Sequence, residues 1–281
     1  MKTLKTAFLL TALTLLLLLL GAAFGGERGM TLALVFAVLM NGTAYFFSDK
    51  IALMSSGAQP ISKEQAPRLY EVMERLAAKS NLPMPKMYLI PQAAPNAFAT
   101  GRNPGHASVA VTQGLMELMD DEELEGVIAH ELSHVRNYDI LTSSIAATIA
   151  GAITWAAHLG RWGMILGGGG NRGRGGGLTG ILMLILAPFA ALLLQMGISR
   201  QREYQADASG ARMVGHPYGL IRALEKLGAY NKRIPMDVPP TTSALMIVQP
   251  LSAGQIFSSL FSTHPPLADR IAQLRAMTVT R

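Results

Sequence analysis

Apolar residues in this chain follow two patterns: four long unbroken runs, and between them shorter stretches where they recur every three or four positions. The runs are Ala7–Phe24, Met30–Phe47, Ile140–Gly160 and Leu178–Ile198. Each is close to the roughly 20 residues that carry a helix across a bilayer. The short link Gly25–Gly29 makes the first two antiparallel neighbours. Lys2, Lys5 and Gly21-Ala22-Ala23 outline a cleavable signal peptide. The leucine run Leu15–Leu20 and a second run so close behind it favour a retained anchor hairpin.

The shorter stretches predict a small soluble unit. Leu69, Val72, Met73, Leu76 and Ala77 fall at helical spacing within Ala66–Ser80. Met87–Pro91 reads as a strand, and Asn96–Gly101 and Ala107–Gln113 as two strands joined by the turn Arg102–His106. Asp120 and Asp121 offer an N-cap, and Glu122, Glu123 and Glu125 favour the positive end of a helix dipole. Val127, Ile128, Leu132 and Val135 give that helix apolar faces. The glycine-rich stretch Gly163–Gly180 reads as a linker, because it lacks the Gly-Lys-Ser/Thr ending and preceding strand of a phosphate loop. Ala244–Leu251 and a helix at Ala253–Phe261 fit a lid, a membrane-dipping element or ordinary packing. The expected fold is mainly α (α+β): a multi-pass membrane protein with a soluble domain carrying a small β-hairpin or sheet. A transmembrane hairpin over 1–48 precedes a domain over 49–281, interrupted by hydrophobic segments 140–160 and 178–198.

Composition agrees with a membrane protein. Half of the 281 residues are hydrophobic and only 15% are charged, against about 25% in an average soluble protein. A formal charge of +6, spread along the chain, suits anionic lipid surfaces better than nucleic acid. With no cysteine, disulfides and thiolate metal sites are excluded.

The chemistry is concentrated in His130-Glu131-Leu132-Ser133-His134, which reads H-E-x-x-H. Residues four apart share a helix face, so His130 and His134 can present two imidazoles to one metal. Glu131, about 100° around the helix, can take a proton from a metal-held water without being a ligand. Glu203, with Asp207 one turn beyond, supplies a further carboxylate. Two His and one Glu with a fourth position open form the usual ligand set of a hydrolytic zinc site, one Zn2+ per chain. Asp207 is the candidate to accept the second ring N–H of a ligand histidine; a helix-surface acid is its plain alternative. In the hairpin, the edge at Asn96, Ala97, Phe98 and Ala99 can add an extended peptide as a strand, or simply complete an ordinary α+β sheet. His106, His158 and His216 have no partner at ligand spacing and read as structural.

Topology follows from the ligands. His130 and His134 precede the third run and Glu203 follows the fourth, so both runs cross or neither does. With Lys2 and Lys5 inside, 48–139 and 199–281 face the cytoplasm, and only Arg28, Arg161, Arg172 and Arg174 lie outside. The three arginines between the third and fourth runs oppose that rule and leave open a hydrophobic hairpin lying against the soluble domain. Either way, the metal sits close to the cytoplasmic membrane surface.

In order along the chain, the N-terminal hydrophobic pair, Asn96-Ala97-Phe98-Ala99-Thr100-Gly101, Ala129–His134, the second hydrophobic pair, Ser199–Asp207 and Thr263-His264-Pro265-Pro266 with Arg270 form a recognisable series. The chain resembles the HtpX-type membrane zinc endopeptidases essentially end to end, and more distantly the CAAX prenyl-protein endopeptidases, so its soluble domain is expected to be a zincin-like metalloprotease domain. The resemblance implies hydrolysis of peptide bonds in misfolded or membrane proteins at the cytoplasmic face of the cell (inner) membrane, as part of protein quality control. It also nominates His264 and Arg270 to stabilise the oxyanion; His264 before two prolines could equally start a helix. Rival readings fare worse. A di-iron oxygenase needs a second Glu-x-x-His, which the chain lacks. An intramembrane protease would bury its motif in a span, whereas Asp120–Glu125 closely precede it here. A non-enzymatic metal protein or scaffold would have no need of Glu131.

Overall fold

The computed structural model describes residues 2–149, 200–231, 245–247 and 265–277. Most of the third run, the fourth run, the glycine-rich stretch, the 253–261 segment, His158 and His264 lie outside the described residues. The chain begins with α1 (Lys2–Ser55), a helical hairpin that turns at Gly26, whose φ of 57° and ψ of −144° are non-helical. Its two arms, Thr6–Ala23 and Gly25–Ser55, are long and apolar enough to cross a membrane. The arms touch through glycine: a Cβ on Gly21 would lie 2.5 Å from the Gly29 carbonyl oxygen and 2.6 Å from the Ala33 Cβ. Asn41 ties the arms together by donating from Nδ2 to Thr14 Oγ1 at 2.8 Å and to the Leu10 carbonyl at 3.3 Å.

This packing makes a prediction that the absence of native cysteine lets one test cleanly. A cysteine pair at positions 14 and 41 should form a disulfide cross-link. Adding Gly21→Leu should remove most of it, because no rotamer of leucine avoids the opposing backbone. Undiminished cross-linking would show that the arms do not meet at Gly21.

Beyond the hairpin come β1 (Gln59–Pro60), α2 (Pro67–Lys79), β2 (Lys86–Ile90), β3 (Ala97–Gly101) and β4 (Ala107–Thr112). The helix and the three longer strands fall within a residue or so of their expected bounds; the two-residue β1 has no sequence signal. The sheet order is β1-β2-β4-β3, with β2 parallel to β4 and the other pairs antiparallel. Both sheet faces are covered. Ala97, Ala99, Val109 and Val111 join the core formed with α2 and the later helices. Phe98, Ala110 and Ile90 pack on Ala52 and Leu53 at the end of α1. Every position of β3 and β4 is consequently buried, so the hairpin shows no polar-outward alternation.

Next follow α3 (Gln113–Leu118), α4 (Asp121–Arg136) and α5 (Asp139–Ile149). The expected N-cap of α4 is a full capping box: Asp120 accepts from the Glu123 N–H, and Glu123 accepts from the Asp120 N–H. α5 carries the start of the third apolar run. Its Ile145 and Ile149 pack on Leu13 and Ala44 of α1, and Thr6 and Thr142 hydroxyls meet at 3.0 Å. The chain resumes with α6 (Arg200–Val214), α7 (Tyr218–Asn231) and α8 (Leu267–Ala276). α4 is the hub, packed against α2, α6, α7 and β3. Its approach to α6 is close because Gly210 faces it: a Cβ there would lie 3.0 Å from the His130 amide nitrogen.

Candidate active site and metal centre

Three side chains from α4 and α6 converge on one point. His130 Nε2 and His134 Nε2 are 3.2 Å apart. Glu203 Oε2 lies 3.6 Å from His130 Nε2, and Glu203 Oε1 lies 3.5 Å from His134 Nε2. Two atoms each about 2.0–2.2 Å from a tetrahedral ion lie roughly 3.4 Å apart. The observed separations therefore suit one such ion held by three protein ligands, with the fourth direction toward the cleft. The cleft is lined by Ala99, Glu131, Ile140, Ser143 and Leu245–Ile247 as well as the three ligands.

The outer nitrogens of the two imidazoles are also engaged. His130 Nδ1 is 2.9 Å from Asp207 Oδ1, the partnership expected for that acid. His134 Nδ1 is 3.4 Å from Asp139 Oδ2, and Asp139 Oδ1 is 3.5 Å from Arg202 Nη1. Sequence reasoning did not find Asp139. It lies five residues past His134, across a break between α4 and α5, where helical periodicity no longer assigns a face.

Arg270, nominated as an oxyanion partner, does not line the cleft. Its side chain is fully buried behind the ligands. Nε and Nη2 donate to the two Asp207 oxygens at 2.8 and 2.6 Å, and Nη1 donates to the Ile247 carbonyl at 2.9 Å. Nη1 is 3.7 Å from Glu203 Oε2. The fork thus joins Asp207, Glu203 and the 245–247 segment. A bidentate guanidinium so occupied is a brace for the ligand shell.

Electrostatics differ sharply among the acids. Burial pushes the Glu131 carboxyl up to about 7, opposed in part by His134, Arg270 and the Ala99 N–H. A carboxyl balanced near neutrality suits proton transfer in both directions. Burial would also raise Asp207, but Arg270 and His130 override it and hold that carboxyl at about 2. For His134, burial opposes the proton, yet Glu203, Asp139 and Glu131 outweigh it and raise the imidazole to about 9. Burial lowers His130, with Asp207 working against it. The clustered negative charge is what a divalent cation would balance.

β3 reaches the site along its free edge. Antiparallel alternation turns the backbone groups of both Ala97 and Ala99 away from β4. The Ala97 carbonyl accepts from the Ile247 N–H at 3.0 Å, so the chain itself occupies that end of the edge. The Ala99 N–H is directed to Glu131. Asn96 is buried and caps the strand start, its Oδ1 accepting from the Ala97 N–H at 3.0 Å. Phe98 points to the opposite face of the sheet, where its ring is fully buried.

Comparison with known proteins agrees with this geometry. The pattern of peptidase family M48 matches residues 63–278. The chain is 56% identical over 273 residues to a Protease HtpX homolog of Desulfatibacillum aliphaticivorans, covering 96% of this chain and 88% of that one. It is 47% identical to the Protease HtpX homolog of Pelotomaculum thermopropionicum, covering 99% and 100% respectively. Among solved structures, S. mikatae Ste24p is similar with a TM-score of 0.55 and 21% identity, a likeness of fold. That match covers 97% of this chain, which spans 64% of the Ste24p chain. With the family pattern running across β2 to β4, both ligand helices and α8, the chain belongs to peptidase family M48 and is a metalloendopeptidase of membrane-associated type.

Proposed function

We propose that the chain is a zinc endopeptidase anchored in the cell (inner) membrane by several spans, which cleaves misfolded or membrane proteins at the cytoplasmic face. The observation that carries the metal assignment is the mutual spacing of His130 Nε2, His134 Nε2 and Glu203 at 3.2 to 3.6 Å. Nitrogen and carboxylate donors without thiolate suit zinc in a hydrolase. Zinc bound there would lower the pKa of a ligating water toward neutrality and polarise the scissile carbonyl.

The protein's own groups supply the rest. Glu131, buried in the cleft wall, accepts the proton of the attacking water and returns it to the departing amine. The β3 edge aligns an extended substrate by backbone hydrogen bonds, which recognise peptide without regard to side chain. Because Ile247 takes the Ala97 carbonyl, a substrate strand pairs toward Ala99 or displaces that segment. Asn96 and Phe98 support the strand from beneath and behind it. Asp207 and Arg270 position His130 and Glu203 from behind the metal. His264 keeps its nomination as an oxyanion partner from the family resemblance.

Membrane placement rests on the two apolar arms of α1 and on α5 packing against them. The cytoplasmic side follows from the distribution of Lys and Arg. The test is cleavage of unfolded casein by the detergent-purified chain, with metal content measured in parallel. Cleavage abolished by a chelator and restored by about one zinc per chain is expected. Cleavage indifferent to chelation, or restored by iron and not by zinc, would overturn the assignment.

A further inference from the structure

The two ligand imidazoles are supported differently, and the support of His134 comes from outside the helices that bear the ligands. α4 ends at Arg136 with Asn137 as its C-cap, and Tyr138 then adopts a left-handed φ of 61°. A non-glycine residue there costs about 1–2 kcal/mol, so the surrounding fold holds the turn in place. Its effect is to fold the chain back and set Asp139, the first residue of α5, beside the His134 ring. Asp139 is largely buried, its side chain 14% exposed, and Arg202 holds its other oxygen. Arg202 immediately precedes the ligand Glu203 on α6.

His134 directs Nε2 at the ligand cluster, so a metal there requires that nitrogen bare and the proton on Nδ1. An acceptor within reach of Nδ1 selects this tautomer and fixes the ring plane. Asp207 does the same for His130 at 2.9 Å. We propose that Asp139, anchored by Arg202, is the positioning residue of His134, an inference that rests on the metal-site reading above. It also links the metal to the membrane-packed part of the fold. α5 meets α1 through Ile145, Ile149 and Thr142, and meets β3 through a 2.7 Å contact between Ser144 and Thr100 hydroxyls.

The test uses the full chain in detergent, with zinc affinity read by competition against a chromophoric chelator. Outer-shell partners of ligand histidines are typically worth 10–100-fold in metal affinity. Asp139→Ala should lose affinity within that range, with the metal-free protein still folding cooperatively. Asp139→Asn should lose much less, since its amide oxygen still accepts from Nδ1–H. The visible spectrum of the cobalt(II)-loaded protein should shift in the alanine variant and not in the asparagine variant. If the alanine variant fails to fold, Arg202→Gln decides: it leaves Asp139 in place but unanchored, so a several-fold loss supports the assignment and an unchanged affinity overturns it. Equal losses for Asn and Ala, or an alanine affinity within about twofold of wild type, overturn it too. Wild type that takes up no zinc overturns the metal reading itself, a different failure from zinc-loaded wild type with an indifferent Asp139→Ala.

Discussion

Glu131→Gln is expected to leave zinc bound and to lower peptide hydrolysis by roughly 10²–10⁴-fold, the usual weight of a positioned proton-transfer group. Glutamine matches glutamate in size, and its side-chain oxygen can still accept from the Ala99 N–H that faces Glu131. The three metal-holding side chains are other residues, so their spacing should persist. What disappears is a group able to take and return a proton. Its environment is arranged for that task, since burial brings the carboxyl up to about 7 while His134 and Arg270 keep it from rising further. Metal analysis and casein cleavage on the same preparations check both halves. Residual activity within about tenfold of wild type would place the base elsewhere. Loss of metal would mean that Glu131 holds the site together rather than turning it over.

Arg270→Met should have the largest effect on stability, lowering it by about 3–5 kcal/mol at neutral pH, because it takes from a buried carboxylate the one permanently charged partner it has. Asp207 is 3% exposed and receives two guanidinium hydrogen bonds. Arg270, with a smaller share from His130, holds it at about 2 in the folded chain, against about 3.9 unfolded. A folded value below the unfolded one means that the wild-type pair stabilises fully above about pH 4. That contribution, about 2–3 kcal/mol, is lost as pH falls toward 2. In the variant the sign reverses. Burial is then opposed by His130 alone, the Asp207 carboxyl rises, and the ionised form becomes the destabilising one. The deficit should thus be greatest at pH 7–8 and shrink as the solution is acidified toward pH 5. Thermal midpoints of metal-free protein in detergent at those pH values test this, with a drop of about 10 °C expected at neutrality. A pH-independent deficit would assign the loss to packing alone.

Arg270 is a residue that the family resemblance singled out and whose seating it did not give. Its place in the sequence says that it matters and nothing about which way the guanidinium faces. Only the packing of α8 against α6 and α7 puts it behind Asp207, and only the 245–247 segment supplies its third acceptor. Asp139 is the complementary case, a residue that no spacing rule could pick out. Its position beside His134 depends on one left-handed residue at Tyr138.

The hairpin edge divides in the same way. Its strands and turn were legible from apolar content and from the Asn103-Pro104-Gly105 signal. Which edge is free was not, because β4 inserts between β2 and β3 through a parallel pairing that no local pattern encodes. The burial of both faces was equally hidden. The residues that cover Phe98 come from the end of α1, more than forty positions earlier.

By itself the sequence determined what depends on neighbours in the chain. The α1 arms follow from unbroken apolar runs, the start of α4 from Asp120 and Glu123, and the shared face of His130 and His134 from a four-residue spacing. It also supplied Glu203 and Asp207 as one helical pair, since one turn of helix makes them neighbours. The tertiary structure decided everything that requires two distant segments to meet. It set the approach of α6 to α4 past Gly210, the seating of Arg270, the return of Asp139 to His134 and the placing of Ile247 on the substrate edge. The reason is physical. Helical periodicity and capping are set by bonds between residues a few positions apart, whereas a ligand shell is closed by the packing of whole elements, whose geometry no short stretch of sequence contains.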